Sequence, residues 1–286
     1  MLVRSRYRIW SLVLLFLGTT SSWGQPPAAT EEPKESQSSA KLEFFQRELS
    51  RLVLTPADDP HGPCEFVRSP LIKFENPISQ ILDGFMFVWT DRGRPVAVVK
   101  SYNNVPNKSW GRTFVSIASE PLRMTMHDRD LWTPREPGVS FAALPDAPPP
   151  AEQPPQRLIQ MRNFARRFQI IDNWGIKDPK DWQLRLLTTP LHRYEVPDEQ
   201  VFDGALFGYS LTTAPEALVL FEARTTPTGP VWFYAVSRCT RFGVRFQLDD
   251  KPLAEVPRLD AWPATGTYFH HPIPMGKFPY ETADGK

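Results

Sequence analysis

The spacing of apolar positions divides the chain into two kinds of segment. In KLEFFQRELSRLVL, residues 41–54, the positions Leu42, Phe45, Leu49 and Leu52 fall at i, i+3, i+7 and i+10. In RLIQMRNFARRFQII, residues 157–171, Leu158, Met161, Ala165 and Phe168 repeat that spacing. Such a stripe occupies one face of an amphipathic helix, so each segment is predicted to be helical. Pro155 stands near the start of the second helix, where its missing N–H costs little. Downstream of each helix the period shortens. Apolar runs rich in Val, Phe, Tyr and Trp occupy 85–90, 96–102, 113–118 and 122–126, then 204–210, 217–223, 231–237 and 243–248, with 183–187 as an extra strand. Connections such as Asp91-Arg92-Gly93-Arg94-Pro95 are too short to hold a crossover helix, so the strands are predicted to be antiparallel.

The two sets of strands resemble each other. At an offset of 120, PLIKFENPISQILDGFMFVWTDRGRPVAVV (70–99) lies over PLHRYEVPDEQVFDGALFGYSLTTAPEALV (190–219) without a gap. Identical pairs include Pro70/Pro190, Glu75/Glu195, Pro77/Pro197, Gln80/Gln200, Asp83/Asp203, Gly84/Gly204 and Phe87/Phe207. Conservative pairs include Lys73/Arg193, Phe74/Tyr194 and Trp89/Tyr209. Two long copies indicate a duplicated domain rather than a solenoid of short repeats. The expected fold is therefore α+β with an internal duplication. Each half is an amphipathic helix packed on an antiparallel β-meander, and the halves are related by pseudo-twofold symmetry, side by side or face to face.

Composition places these halves in a longer plan. Arg4, Arg6 and Arg8 precede an apolar run from Ile9 to Leu17, and small or polar residues follow from Gly18 to Ser22, with Gly24 just beyond. That order predicts a secretory signal peptide over 1–24, cleaved after Gly24, with a run far short of the ~20 residues of a membrane span. Residues 25–40 are polar and contain Pro, which predicts a disordered tether. The first repeat then covers 41–143, a Pro-rich linker 144–156, the second repeat 157–260, and a C-terminal tail 261–286. Without residues 1–24 the chain carries 30 Lys and Arg against 32 Asp and Glu, a formal charge of −2. That balance argues against nucleic acid as the main partner. Cys64 and Cys239 suit an oxidising compartment and are candidates for a disulfide, with two buried free thiols as the favoured alternative.

Several stretches carry a resemblance: EPGVSFAALPDAPPP, RLIQMRNFARRF, LRLLTTPLHRYE and DGALFGYSLTTAPEALVLFEAR, with WTDRGRPVAVV as the matching stretch of the first half. Together they resemble an uncharacterised family of bacterial exported proteins over most of the mature chain. The resemblance implies export and carries no activity, so it transfers no catalytic residue.

The residues must then be weighed on their chemistry. Glu75, Asp83, Glu195 and Asp203 are the candidate binding carboxylates, since a pair meeting near a pseudo-symmetry axis would suit glycosidase-type acid–base work. The stronger reading of Asp83-Gly84 and Asp203-Gly204 is a structural turn, with Asp bonding nearby backbone and Gly supplying positive φ. For Glu75 and Glu195 it is an ion pair with Lys73 and Arg193 along the same strand face. His270 and His271 are adjacent on the chain and point apart if extended, so no metal site is expected there. His61, His127 and His192 are scattered, and no nucleophile elbow or phosphate-binding loop is present. Arg157, Arg162, Arg166 and Arg167 make the second helix basic, as a solvated face or a contact with acidic groups of the same chain. Most of Trp89, Trp110, Trp132, Trp174, Trp182, Trp232 and Trp262 should be core, and any lining a groove would form a platform for sugar or peptide.

No cofactor is expected. The leading expectation is an exported, non-catalytic binding or interaction protein with an unidentified protein or small-molecule partner outside the cytoplasm. A periplasmic or secreted hydrolase acting on glycan or peptide through a duplicated carboxylate is the alternative. A carrier with a small-ligand pocket between the halves is a third.

Overall fold

A computed structural model describes residues 34–57, 62–104, 109–175 and 179–274. The expected signal peptide and the tether up to residue 33 lie outside the described residues. Helix α1 (Lys34–Leu49) is followed by strands β1 (Leu52–Pro56), β2 (Glu65–Asn76), β3 (Ile81–Asp91), β4 (Arg94–Asn104), β5 (Ser109–Ser116), β6 (Leu122–Met126), β7 (Arg129–Trp132) and β8 (Ala142–Ala143). Helix α2 (Pro154–Arg166) is followed by β9 (Phe168–Trp174), β10 (Lys180–Gln183), β11 (Arg185–Leu186), β12 (His192–Val196), β13 (Val201–Ser210), β14 (Pro215–Thr226), β15 (Gly229–Arg238), β16 (Gly243–Leu248), β17 (Lys251–Val256) and β18 (Tyr268–Pro274). The fold is thus rich in antiparallel sheet, with two long helices among the described residues. Neither helix is long and apolar enough to cross a membrane.

Both helices end earlier than the apolar stripe suggests. Leu52 and Leu54 are buried while Val53 is exposed, a period of two that belongs to a strand. Phe168, Ile170 and Asp172 alternate in the same way on β9, so residues 168–171 are strand rather than helix. At its other end α1 takes in residues 34–40, which the composition assigned to the tether. The eight main strand positions lie where the apolar runs stand, and β6 and β16 have the expected limits.

Two large sheets form the body. One has the order β18-β5-β4-β3-β2. The other has β11-β13-β14-β15-β8, with β12 also paired to β13. Smaller sheets, β1-β6-β7 and β10-β9-β16-β17, complete the cores beneath the helices. The C-terminal segment is therefore not only a tail, because residues 268–274 pair with β5 at the edge of the first large sheet. Tyr268, Phe269 and Ile273 give that segment enough apolar surface to leave water.

Side chains of the central strands alternate between two cores. Phe85, Phe87, Trp89, Ala97 and Val99 face α1 through Phe44, Phe45 and Leu49. Ala205, Phe207, Tyr209, Val219 and Phe221 face α2 through Met161, Phe164 and Ala165. The alternate residues Met86, Val88, Val98 and Val115 pack with Leu206, Leu218, Leu220 and Ala235 in a third core between the two sheets. The layers run helix, sheet, sheet, helix, and the sheets meet face to face. Cys64 borders the core beneath α1, whereas Cys239 is buried between the sheets, and the two are not joined by a disulfide.

Candidate functional site

Neither Asp-Gly pair forms a turn. Asp83-Gly84 and Asp203-Gly204 lie inside β3 and β13, and neither glycine has positive φ. The reversal comes earlier, in short 3-10 turns at Pro77–Ser79 and Pro197–Glu199 that end on Gln80 and Gln200 in the left-handed region. Glycine is required instead by close packing. A Cβ at Gly84 would stand 2.4 Å from the ring of Phe74, its cross-strand partner, and one at Gly204 would stand 2.6 Å from Tyr194.

Each aspartate ties its helix to its sheet. Asp83 accepts hydrogen bonds from Lys41 of α1 at 2.7 Å and pairs with Lys73 of β2 at 3.0 Å. Asp203 accepts from Arg157 of α2 at 2.7 Å and from Arg193 of β12 at 2.6 Å. Burial opposes the charge on Asp83, but the hydrogen bonds and charges of Lys41 and Lys73 outweigh it and hold its pKa below the usual carboxylate range. Lys73 and Arg193 thus reach across to the aspartates, not along the strand to Glu75 and Glu195 as expected. Their pairs across the strands lie on one sheet face and within direct reach.

The two glutamates serve through their backbone. The carbonyl of Glu75 accepts from the Thr212 and Thr213 hydroxyls at the tip of the β13–β14 hairpin. At the β3–β4 tip, Gly93 approaches the Glu195 carbonyl so closely that a Cβ would lie 2.9 Å from it. Each hairpin tip therefore docks on the opposite half of the chain.

The basic helix α2 binds acidic groups of its own chain, through Arg157 to Asp203, while Arg167 just beyond it binds Asp249. None of the four candidate carboxylates lines the principal cleft.

That cleft opens at one end of the layer between the sheets, with a volume of about 420 Å³. Lys100 of β4 and Glu216 of β14 meet there at 3.3 Å, and Lys100 also donates to the Pro215 carbonyl at 2.9 Å. Above them stand Tyr102, Thr113, Tyr268 and His270, with Trp174, Phe242 and Trp262 at the sides. The His270 ring stacks on Tyr102 with an interplanar angle of 16° and meets Trp262 edge-on, and its Nδ1 lies 3.2 Å from the Thr113 hydroxyl. His271 points away, with its Nδ1 2.8 Å from Arg112, so the adjacent histidines diverge as expected. No cluster of His, Cys, Asp and Glu among the described residues could hold a metal ion. Of the tryptophans, Trp89, Trp110, Trp132 and Trp232 are core, Trp174 and Trp262 line the cleft, and Trp182 is exposed.

Burial shifts the titration of the groups near the cleft. Burial opposes the Lys100 ammonium, yet Glu216 and its other polar neighbours raise its pKa above the usual amine value. Burial pushes the Cys239 thiol up to about 11. Burial, followed by the charges of Arg241 and Lys100, lowers the pKa of His270, which keeps the ring neutral. Asp172 of β9 lies nearby, completely buried, and neither carboxylate oxygen has a hydrogen-bond partner. Burial and then Glu216 raise its pKa to about 8, against the opposing charges of Lys100 and Arg238.

No family model, curated protein or solved structure matches the chain. The cleft must be read from its own chemistry. Sequence reasoning passed over Lys100, Tyr102, Glu216, Arg241 and Phe242. Glu216 did leave a trace: it interrupts an apolar run and stands opposite Val96 in the offset match.

Two outcomes test this account. Asp203→Asn should cost roughly 3–5 kcal/mol in urea unfolding, because it leaves the buried Arg157 guanidinium without its carboxylate. Asp83→Asn, at a more exposed pair, should cost at most about 1 kcal/mol. Asp172 stays protonated in the folded protein from about pH 4 to about pH 8, where the unfolded chain has released that proton, so its contribution to stability falls as pH rises through this window. Asp172→Asn should therefore raise the melting midpoint more at about pH 8 than at about pH 5, and an equal change at both values would contradict the assignment.

Proposed function

We propose that the protein is an exported, non-catalytic binding protein that holds a small ligand in the cleft between its two sheets. The observation that carries this reading is the lining of that cleft: aromatic faces from Tyr102, Trp174, Phe242, Trp262 and His270 converge with the polar groups of Thr113, Thr240, Lys100 and Glu216. A concave, mostly apolar site with a few placed polar groups is the usual form of a small-molecule site, and its volume falls within the ~300–1,000 Å³ of such sites. The placement of Asp83 and Asp203 supports binding over hydrolysis. Each is occupied by two cations beneath its helix, away from the cleft.

The halves arose, in this reading, by duplication about a pseudo-twofold axis. The gapless match at an offset of 120 supports it, together with the shared order of helix, strands and 3-10 turn. The contacts between β4 and β14 also support it. Arg94 meets Glu222 and Lys100 meets Glu216, so the strands run in opposite directions across a centre at Val98 and Leu218, which are themselves 120 residues apart. Export follows from the basic, apolar and small-residue pattern of residues 4–24, and membership of the exported bacterial family from the stretches that resemble it.

A thermal-shift screen against aromatic acids, sugars and short peptides tests the binding site. At least one class should raise the melting midpoint, Trp262→Ala should remove that rise, and Asp83→Asn should retain it. A rise that survives Trp262→Ala and disappears in Asp83→Asn would move the site to the carboxylates and overturn the reading.

A further inference from the structure

The cleft carries a charge that its own lining does not neutralise. Lys100 and Glu216 offset each other. Arg241 lies 5.2 Å from the centroid of Phe242 and 5.3 Å from that of Trp262, so its guanidinium stacks at the side of the cleft. Arg258 covers the same Phe242 ring at 5.2 Å and donates to the Gly175 carbonyl. Neither arginine forms an ion pair with a carboxylate among the described residues. A guanidinium stacked on aromatic faces keeps its in-plane N–H donors free, and those donors match a carboxylate fork.

The opposite end of the same layer holds a filled arrangement of the same kind. Glu222 faces Gly204 across the β13–β14 ladder, just as Tyr102 faces Gly84 across β3–β4. The Glu222 carboxylate is fully buried and accepts from Arg94 at 2.8 Å, from Arg224 at 2.6 Å and from the Tyr194 hydroxyl at 3.0 Å. Arg224 in turn lies over Phe141 at 4.4 Å and Phe233 at 4.7 Å. At that end the chain supplies the carboxylate. At the cleft end the position matching Glu222 is Tyr102 and those matching Arg94 and Arg224 are Ala214 and Asn104, while Arg241 enters from the segment after β15 and has no ion-paired acid among the described residues.

We propose that the cleft selects a small organic carboxylate carrying a flat ring, with the acid on Arg241 and the ring among Tyr102, Trp262 and His270. This rests on the binding role proposed above and adds the ligand class. Two features sharpen the choice. Burial and then the charges of Arg241 and Lys100 disfavour the imidazolium form of His270, so the charge that attracts the acid is placed on the arginines. The stacked Tyr102–His270 pair and the Trp262 ring set nearly perpendicular to His270 present apolar surfaces suited to a planar ring.

The test compares benzoate, indole-3-acetate and cyclohexanecarboxylate with their uncharged amides by calorimetry on the full mature chain. The flat-ring acids should bind about tenfold or more tightly than their amides, as one charge-assisted pair implies. They should also bind more tightly than cyclohexanecarboxylate, and the preference for acid should shrink as salt is raised. Arg241→Gln should abolish that preference by weakening the acids far more than the amides; Arg241→Lys should retain part of it. Equal binding of acids and amides, or a preference untouched by Arg241→Gln, overturns the inference. If neutral sugars such as methyl glucoside bind in a Trp262-dependent way while the acids do not, the carboxylate assignment fails and the binding role stands. If neither acids, amides nor sugars bind, both fail.

Discussion

The apolar layer between the two sheets governs the rest of the molecule. Strands β3, β4, β13 and β14 carry large side chains on both faces, so each sheet needs apolar cover twice. The helices cover the outer faces, and only the other sheet is left to cover Met86, Val88, Val98, Leu206, Leu218 and Leu220. Each such side chain contributes roughly 1.5–3 kcal/mol when buried. Charged groups that enter this layer must be paired there, because an isolated buried charge is far too costly. Arg94 with Glu222 meets that requirement at one end, and Lys100 with Glu216 at the other.

The two ends then differ in a way that opens the cleft. Around Glu222, two arginines and a tyrosine hydroxyl close over an internal carboxylate. Around Tyr102 the neutral ring leaves space, and the C-terminal strand β18 lines it with Tyr268 and His270. The cleft is what remains where the apolar layer stops and the one carboxylate in its lining, Glu216, is taken up by Lys100.

Much of this was legible in the residues. Apolar runs located the long strands because burial on both faces leaves few polar interruptions between turn residues. The offset match located corresponding positions in the two halves, which is why Asp83 and Asp203 were singled out together. Their role was missed because their partners Lys41 and Arg157 lie in helices 42 and 46 residues away. Asp-Gly has the composition of a turn, yet here the glycine yields room to Phe74 or Tyr194, a constraint that only the ladder register reveals. The cleft was invisible for the same reason. It draws on β4, β5, the start of β14, the segment around Phe242 and a terminal strand, and no local pattern joins these.

The central claim is that the two sheets form one cooperative unit through their shared layer. Native-state hydrogen exchange measures this most directly, because it reports the opening free energy of each amide. The amides of Val98 and Val115 in the first sheet and of Leu218 and Leu220 in the second should exchange last and with the same opening free energy. Exchange of one sheet through an opening of clearly lower free energy, while the other remains protected, would contradict the account.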